Sequence, residues 1–266
     1  MTTDGHAAAP RPLVFGHRGA RGLAPENTSA AFDRGVEAGA DGLELDVRST
    51  RDGEAVVCHD ATLDRTTDAS GPLSSFTARE LASVDAGYRF RGANGGFPFR
   101  GRGLRLPMLR DVLARYRHPL IVELKDDSRD LARAVVALVQ EAGAGPRVTI
   151  GSFHRAVVGE VRRVDPGIAT GAATLEVRVA LYGSWLGWRP VRPGYRALQV
   201  PERRGVHRVV SPRLVRTAHR SGVAVQVWVV DEPDRIRKLR GWGVDGIITD
   251  RPDVAVPVVR EWREGR

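Results

Sequence analysis

The sequence predicts an α/β chain folded as a closed (β/α)8 TIM barrel with a small insertion after the second strand. Eight short runs rich in β-branched residues recur along the 266 residues, and most are followed by apolar positions at helical spacing. Successive runs start about 20 to 30 residues apart, the length of one βα unit, except between the second and third. No glycine-rich dinucleotide loop follows the first run, so an open doubly wound sheet lacks its usual signature.

In order, the runs are LVFG (13–16), GLELDV (42–47), LIVEL (120–124), VTIGS (148–152), IATGA (168–172), ALQV (197–200), VAVQVWVV (223–230) and GIITD (246–250). Between them a helix is expected over 128–143, with Ser128 as N-cap and Gly143 at its end. Another is expected over 211–221, opening on Ser211 and Pro212. Asn27 or Thr28 is the expected cap of the first helix, and TDRP (249–252) reads as a helix start capped by Asp250. The insertion spans about 52–106. It opens with a hairpin at Asp52-Gly53, contains the capping box Thr77-Ala78-Arg79-Glu80, and ends in GYRFRGANGGFPFRGRG, too glycine-rich for a core. A cap over one end of the barrel is expected from it. Residues 1–10 read as a flexible tail and 11–266 as one domain.

Composition excludes several classes. No apolar run approaches the ~20 residues that cross a bilayer, and MTTDGHAAAPRP carries Asp4 and lacks the apolar core of a secretory signal. A soluble, cytoplasmic protein is expected. Cys58 is the single cysteine, which rules out an intrachain disulfide and agrees with a reducing compartment. The formal charge of +9 is almost all arginine, Lys125 and Lys238 being the only lysines. Those arginines are scattered over the helices without an aromatic-interleaved basic block or zinc-finger spacing, so no nucleic-acid partner is expected. The charge reads as solvated helix faces, with a bias toward anionic substrates as the lesser reading.

In GLELDV, Glu44 and Asp46 stand two apart and therefore point to the same face of a strand, as do Glu123 and Lys125 in VELK. Burying unpaired carboxylates on strands this apolar is costly unless a cation compensates. Glu44, Asp46 and Glu123 offer only oxygen, which suits one hard divalent ion, Mg2+ or Ca2+. All three lie toward the C-terminal ends of their strands, where barrel enzymes build their sites. His17 leaves the first strand at that end, and His59 returns there from the hairpin. Two histidines beside an acidic site suit proton transfer near neutrality, and Arg18 and Lys125 are placed to hold an anionic substrate. Together these groups describe phosphoryl or phosphodiester chemistry, and no GxSxG elbow argues for acyl transfer. Cys58, one residue from His59, falls on the opposite strand face and reads as packing. His6, His118, His207 and His219 read as surface or structural, and His154 as a weak candidate at the start of a βα loop.

The segments HRGARGLAPENT, GLELDV, VCHDATLDRTT, IVELK, ALQVP and GVDGIITDRP, in this order over residues 13–253, resemble the glycerophosphodiester phosphodiesterase family. That resemblance implies a barrel of the phospholipase-C-like phosphodiesterase type. It also implies a divalent-metal site and cleavage of a glycerophosphodiester to sn-glycerol 3-phosphate and an alcohol. It matches His17 and His59 to the family's acid/base pair, Glu44, Asp46 and Glu123 to its metal ligands, and Arg18 and Lys125 to positions near the phosphate. Gln199 and Trp228 are implied to face inward and shape the site, and agreement through PENT implies, as an equal alternative to helix capping, that Glu26 and Asn27 support the site. The chain departs at Trp228-Val229-Val230-Asp231, where relatives often read WTVN, and at LPMLRDVL, where IPTLEEVL is common; neither departure touches the histidines or the metal acids.

Which histidine is base, and whether a glycerol hydroxyl or water attacks, are open at this level. Runner-up activities are a lysophospholipase D or a phosphatidylinositol-phospholipase-like reaction on lipid, or a catalytically silent phosphodiester-binding protein. YGSWLGWRPVRPGY (182–195) reads as a loop that rims the barrel mouth with the insertion. Loop packing is the favoured account of it. Trp185 and Trp188 would otherwise suit an acyl chain or a membrane surface. The substrate expected is a small, water-soluble glycerophosphodiester, and nothing in the sequence indicates an oligomeric state.

Overall fold

Each of the eight β-branched runs forms a strand, in a computed structural model that describes residues 11–188 and 193–261. The expected N-terminal tail, 1–10, lies outside the described residues. In chain order the elements are β1 (Leu13–Gly16), α1 (Ser29–Glu37), β2 (Gly42–Ser49), β3 (Ala55–Val57), α2 (Ala78–Leu81), α3 (Leu109–Arg115) and β4 (Leu120–Leu124). They continue with α4 (Arg129–Glu141), β5 (Val148–Gly151), α5 (Arg155–Val164), β6 (Ala169–Thr170), α6 (Thr174–Leu186), β7 (Ala197–Pro201), β8 (Arg203–Arg204) and β9 (His207–Arg208). The last are α7 (Pro212–His219), β10 (Ala224–Trp228), α8 (Pro233–Gly241), β11 (Gly246–Thr249) and α9 (Pro252–Arg260).

The parallel order is β6-β5-β4-β2-β1-β11-β10-β7, and a single parallel bridge between Gly171 and Ala197 brings its two ends together. Backbone hydrogen bonds from Arg196 N to Thr170 O (2.8 Å) and from Ala172 N to Ala197 O (2.9 Å) complete the seam. The result is a nearly closed (β/α)8 barrel. Strand alternation sends Leu43, Leu45, Val122 and Ile150 outward under α1 and α3 to α5, and Leu198, Val225 and Ile247 outward under α6 to α9. The inward set carries Phe15, Ile121 and Ile248, with Trp228 packed against them. Above these apolar residues the same inward positions are polar, and they form the site.

Two expectations are corrected, the Asp250 cap and the Trp185 loop; the other caps fall where side-chain oxygens were expected. Thr28, not Asn27, caps α1 by accepting from Ala31 N; Ser128 and Ser211 cap α4 and α7. Asp250 does not cap α9: Arg251 occupies that position without a side-chain bond, and the Asp250 carboxylate is engaged by His17 at the end of the neighbouring strand β1. The second correction concerns Trp185. It lies in α6, and a βα helix runs back from the mouth, so the C-terminal end of α6 sits toward the opposite end of the barrel. Trp188 follows directly after this end, against Gly183. The tryptophans therefore do not rim the mouth. The short β8–β9 hairpin after β7 carried no recognised sequence signal.

In the insertion, β3 pairs antiparallel with β2 across the Asp52-Gly53 turn, where Gly53 has φ +81°. Thr77 and Glu80 form the capping box of α2. The first part builds its own small core from Val56, Cys58, Leu63, Leu73, Leu81 and Val84, which accounts for Cys58 by packing. The glycine-rich second part is mostly exposed, with the Arg100 guanidinium stacked between Tyr88 and Phe97. Among the described residues, no helix is long and apolar enough to cross a membrane.

Candidate active site

Parallel register sets the acids side by side. Asp46 on β2 is level with Glu123 on β4, and Glu44 lies two residues below Asp46 on the same inward face. One oxygen from each of the three carboxylates lies within 4.8 Å of the others. Lys125 Nζ bonds both Asp46 Oδ1 and Glu123 Oε1 at 2.9 Å, and Arg18 Nε lies 3.2 Å from Asp46 Oδ2. Glu44 has no such cation. Its carboxylate accepts from Arg18 N at 2.9 Å and stands 3.9 Å from His17 Nε2. Burial and the neighbouring Asp46 and Glu123 charges push Glu44 up to about 7. Glu123 is likewise raised, by burial and then by Asp46; Asp46 is held low because Lys125 and Arg18 outweigh its burial. An all-oxygen donor set with one carboxyl short of positive charge fits a divalent cation, and the cluster can hold one.

The two histidines approach this cluster from different elements. His17 follows β1, its backbone N bonded to Thr249 O at 2.7 Å, and its Nδ1 donates to Asp250 Oδ1 at 2.5 Å. Asp250 is oriented in turn by Asp231, which accepts from Asp250 N and Thr249 Oγ1 at 2.8 Å each. The departure from WTVN at Asp231 thus reaches His17 at one remove. His59 descends from β3, its carbonyl held by Arg48 Nε at 2.8 Å and its Nδ1 bonded to Asp60 Oδ1 at 2.6 Å. Burial would lower His17, but Asp250 and Glu44 outweigh it and raise the group; for His59 burial wins and lowers it. In both rings the Asp contact commits Nδ1 and leaves Nε2 for the cavity.

Local backbone explains how HRGARGLAPENT packs so many polar groups. Arg18 (φ +48°) and Asn27 (φ +57°) adopt the left-handed region, which for residues with a Cβ persists only where surrounding contacts fix it. Here Arg18 N is held by Glu44 and its Nη1 by Glu26 Oε1 at 2.6 Å. Asn27 Nδ2 donates to Asp46 Oδ2 at 2.8 Å while its Oδ1 accepts from Asp46 N at 3.2 Å. Gly19 is required outright: with φ +89°, a Cβ would lie 2.6 Å from the backbone of Ala31 and Phe32. Arg65 of the insertion bridges Glu26 and Asp60. One chain of charges thus runs from His59 to Arg18.

His17, Arg18, Glu44, His59, Glu123, Lys125, Gln199 and Trp228 line one cavity of about 170 Å3, and Asp46 lies just beneath, bonded to Lys125. All nine site residues read from the sequence therefore converge. Gln199 is held by Gln226 at 2.9 Å, with its Oε1 close over Gly151 and Gly171. Phe153, not anticipated, joins the wall edge-to-face with Trp228 at 6.4 Å. His154, the weak candidate, lies outside the cavity, 3.6 Å from Asp127.

Residues 17–254, which carry this whole arrangement, match the glycerophosphoryl diester phosphodiesterase family. The chain belongs to that family. A glycerophosphodiester phosphodiesterase of Caldanaerobacter subterraneus subsp. tengcongensis is 35% identical over 260 residues, covering 94% of this chain and 99% of that protein. A putative glycerophosphoryl diester phosphodiesterase of Silicibacter pomeroyi, a crystal structure, superposes with a TM-score of 0.78 at 29% identity, over 96% of this chain and 95% of that one. An Oleispira antarctica phosphodiesterase, solved in complex with the product sn-glycerol-3-phosphate, has a TM-score of 0.76 at 23% identity, over 94% and 97% of the two chains, a likeness of fold. Within this family member, the groups that sequence reading missed are Asp250 and Phe153. The first was visible in TDRP but assigned to a helix; the second has no signal beyond its place after β5.

Proposed function

We propose that this chain hydrolyses water-soluble glycerophosphodiesters to sn-glycerol 3-phosphate and an alcohol, with His17 and His59 as the proton-transfer pair. The observation that carries the reading is the pair of imidazoles, each with Nδ1 committed to an aspartate, above one three-carboxylate cluster in one cavity. The name of the Caldanaerobacter relative supports the substrate class.

In this mechanism the phosphate lies against Arg18 and Lys125, whose charges remain fixed by Glu26, Asp46 and Glu123. A divalent cation held by Glu44, Asp46 and Glu123 would supply charge against a non-bridging phosphate oxygen. One imidazole Nε2 takes the proton of the attacking oxygen, and the other gives a proton to the departing alcohol oxygen. Asp250 and Asp60 keep the two rings oriented and favour their protonated forms when they carry charge. Gln199, Trp228 and Phe153 form the wall against the glycerol and head group. A small cavity, with the exposed tryptophans at the far end of the barrel, favours soluble diesters over lysophospholipids.

The test is product identification on glycerophosphocholine, glycerophosphoethanolamine and lysophosphatidylcholine, each with Mg2+ or Ca2+. Release of sn-glycerol 3-phosphate with free choline or ethanolamine is expected from the first two. Preferential cleavage of the lysophospholipid would select the lipid reading, and no turnover of any of the three would select the silent binding protein.

A further inference from the structure

The outer face of α6 is apolar and exposed. Leu175, Val179, Tyr182 and Leu186 follow the i, i+4, i+7, i+11 spacing that stacks them on one helix face, with Trp185 on its shoulder and Trp188 beyond its end. Leu186 is 85% exposed and the other five between 42% and 54%. A run of large apolar residues this long on one surface marks an interaction site, whereas scattered single ones do not. Tyr182 and Trp185 pack edge-to-face at 5.3 Å, giving a firm aromatic ridge.

Charge decides what the ridge meets. Arg178 is exposed on the same helix, and Arg213 and Arg216 of α7 line the groove beside Ser184 and Gly187 at the helix end. Arg178, Arg213 and Arg216 have no carboxylate partner among the described residues, unlike Arg162, Arg163 and Arg235, which are ion-paired to Glu176, Glu160 and Glu202. A second copy of the same face would set these arginines against one another in a chain already at +9. An anionic lipid surface instead accepts the arginines at its headgroups and the tryptophans and tyrosine at the interface just below. We propose that α6 and the adjoining end of α7 form a docking face for an anionic bilayer surface. Docked on this flank, the barrel mouth stays open to water, so the contact locates the enzyme at a membrane without feeding lipid into its site. This goes beyond the proposed activity and does not depend on it.

Co-sedimentation with vesicles of phosphatidylcholine alone, and of phosphatidylcholine with phosphatidylglycerol, tests the face. The full chain is expected to bind the phosphatidylglycerol vesicles, more weakly as salt rises, and to leave the neutral ones in solution. Arg213→Ala with Arg216→Ala should weaken binding on the order of tenfold or more. Leu186→Glu, and separately Trp185→Ser, should abolish or strongly weaken it while glycerophosphocholine turnover and circular dichroism stay unchanged. Failure to bind phosphatidylglycerol vesicles, or binding that survives these substitutions, would overturn the proposal. So would sedimentation as a dimer that Leu186→Glu converts to monomer, which would assign the face to a second copy.

Discussion

His17 and His59 do comparable work from unequal supports. His17 is buried and tied through Asp250 to Asp231, whereas His59 is half-exposed and tied to its sequence neighbour Asp60. His17→Ala and His59→Ala should each lower kcat by on the order of 10² to 10⁴ with the fold intact, the range for losing a positioned acid or base. Asp250→Asn, which removes the carboxylate that orients His17 and favours its charged form, should cost about 10² in kcat with KM unchanged, as misplacement of a catalytic group does. Steady-state kinetics on glycerophosphocholine checks all three. Glu26 is a different kind of residue. Burial would raise its carboxyl, but the hydrogen bonds and charges of Arg65 and Arg18 hold it at about 2, below its ordinary 4.5. A folded-state value below the unfolded one contributes stability that is full above pH 4.5 and is lost as pH falls toward 2. Glu26→Gln should therefore destabilise the protein by about 2 to 3 kcal/mol at pH 6, and the gap should narrow in urea melts below pH 4.5.

At the scale of elements, the β1–α1 segment shows why some of the site was legible and some was not. Glu44, Asp46 and Glu123 announced themselves because period-two spacing on an apolar strand leaves carboxylates nowhere else to face. Asn27 was ambiguous, since an Asn before a helix usually caps it. The structure gives the cap to Thr28 and turns Asn27 onto Asp46. Asn27→Ala should raise the cation concentration giving half-maximal activity by roughly 10 to 100-fold, the usual cost of losing a group that orients a ligand. Asn27→Gly, which accepts the φ of +57° without strain, should show the same shift and so separate the lost side chain from the backbone. The segment 182–188 was misread for a related reason. Two glycines and three aromatics look like a loop, yet Gly183 lies inside α6 where Trp188 packs on it, and Gly187 terminates the helix at φ +75°.

For the whole molecule, the eight strands could be read because each is a compact β-branched run, and the barrel followed from their spacing. What could not be read is what closure creates. β11 lies beside β1 only because the ring closes, and that neighbourhood brings Asp250 to His17 across 233 residues of sequence. Arg65 similarly meets Glu26 only because the insertion folds back over the mouth. The three carboxylates, by contrast, meet through the direct β2–β4 register, around a cavity in which Glu44 lacks a cation of its own. The most direct test of the account is the rate of sn-glycerol 3-phosphate release from glycerophosphocholine by chelator-stripped protein, with metal content measured, before and after addition of Mg2+ or Ca2+. The account predicts no turnover when stripped and saturable recovery on addition, lost in Glu44→Gln; full activity in demonstrably metal-free protein would contradict it.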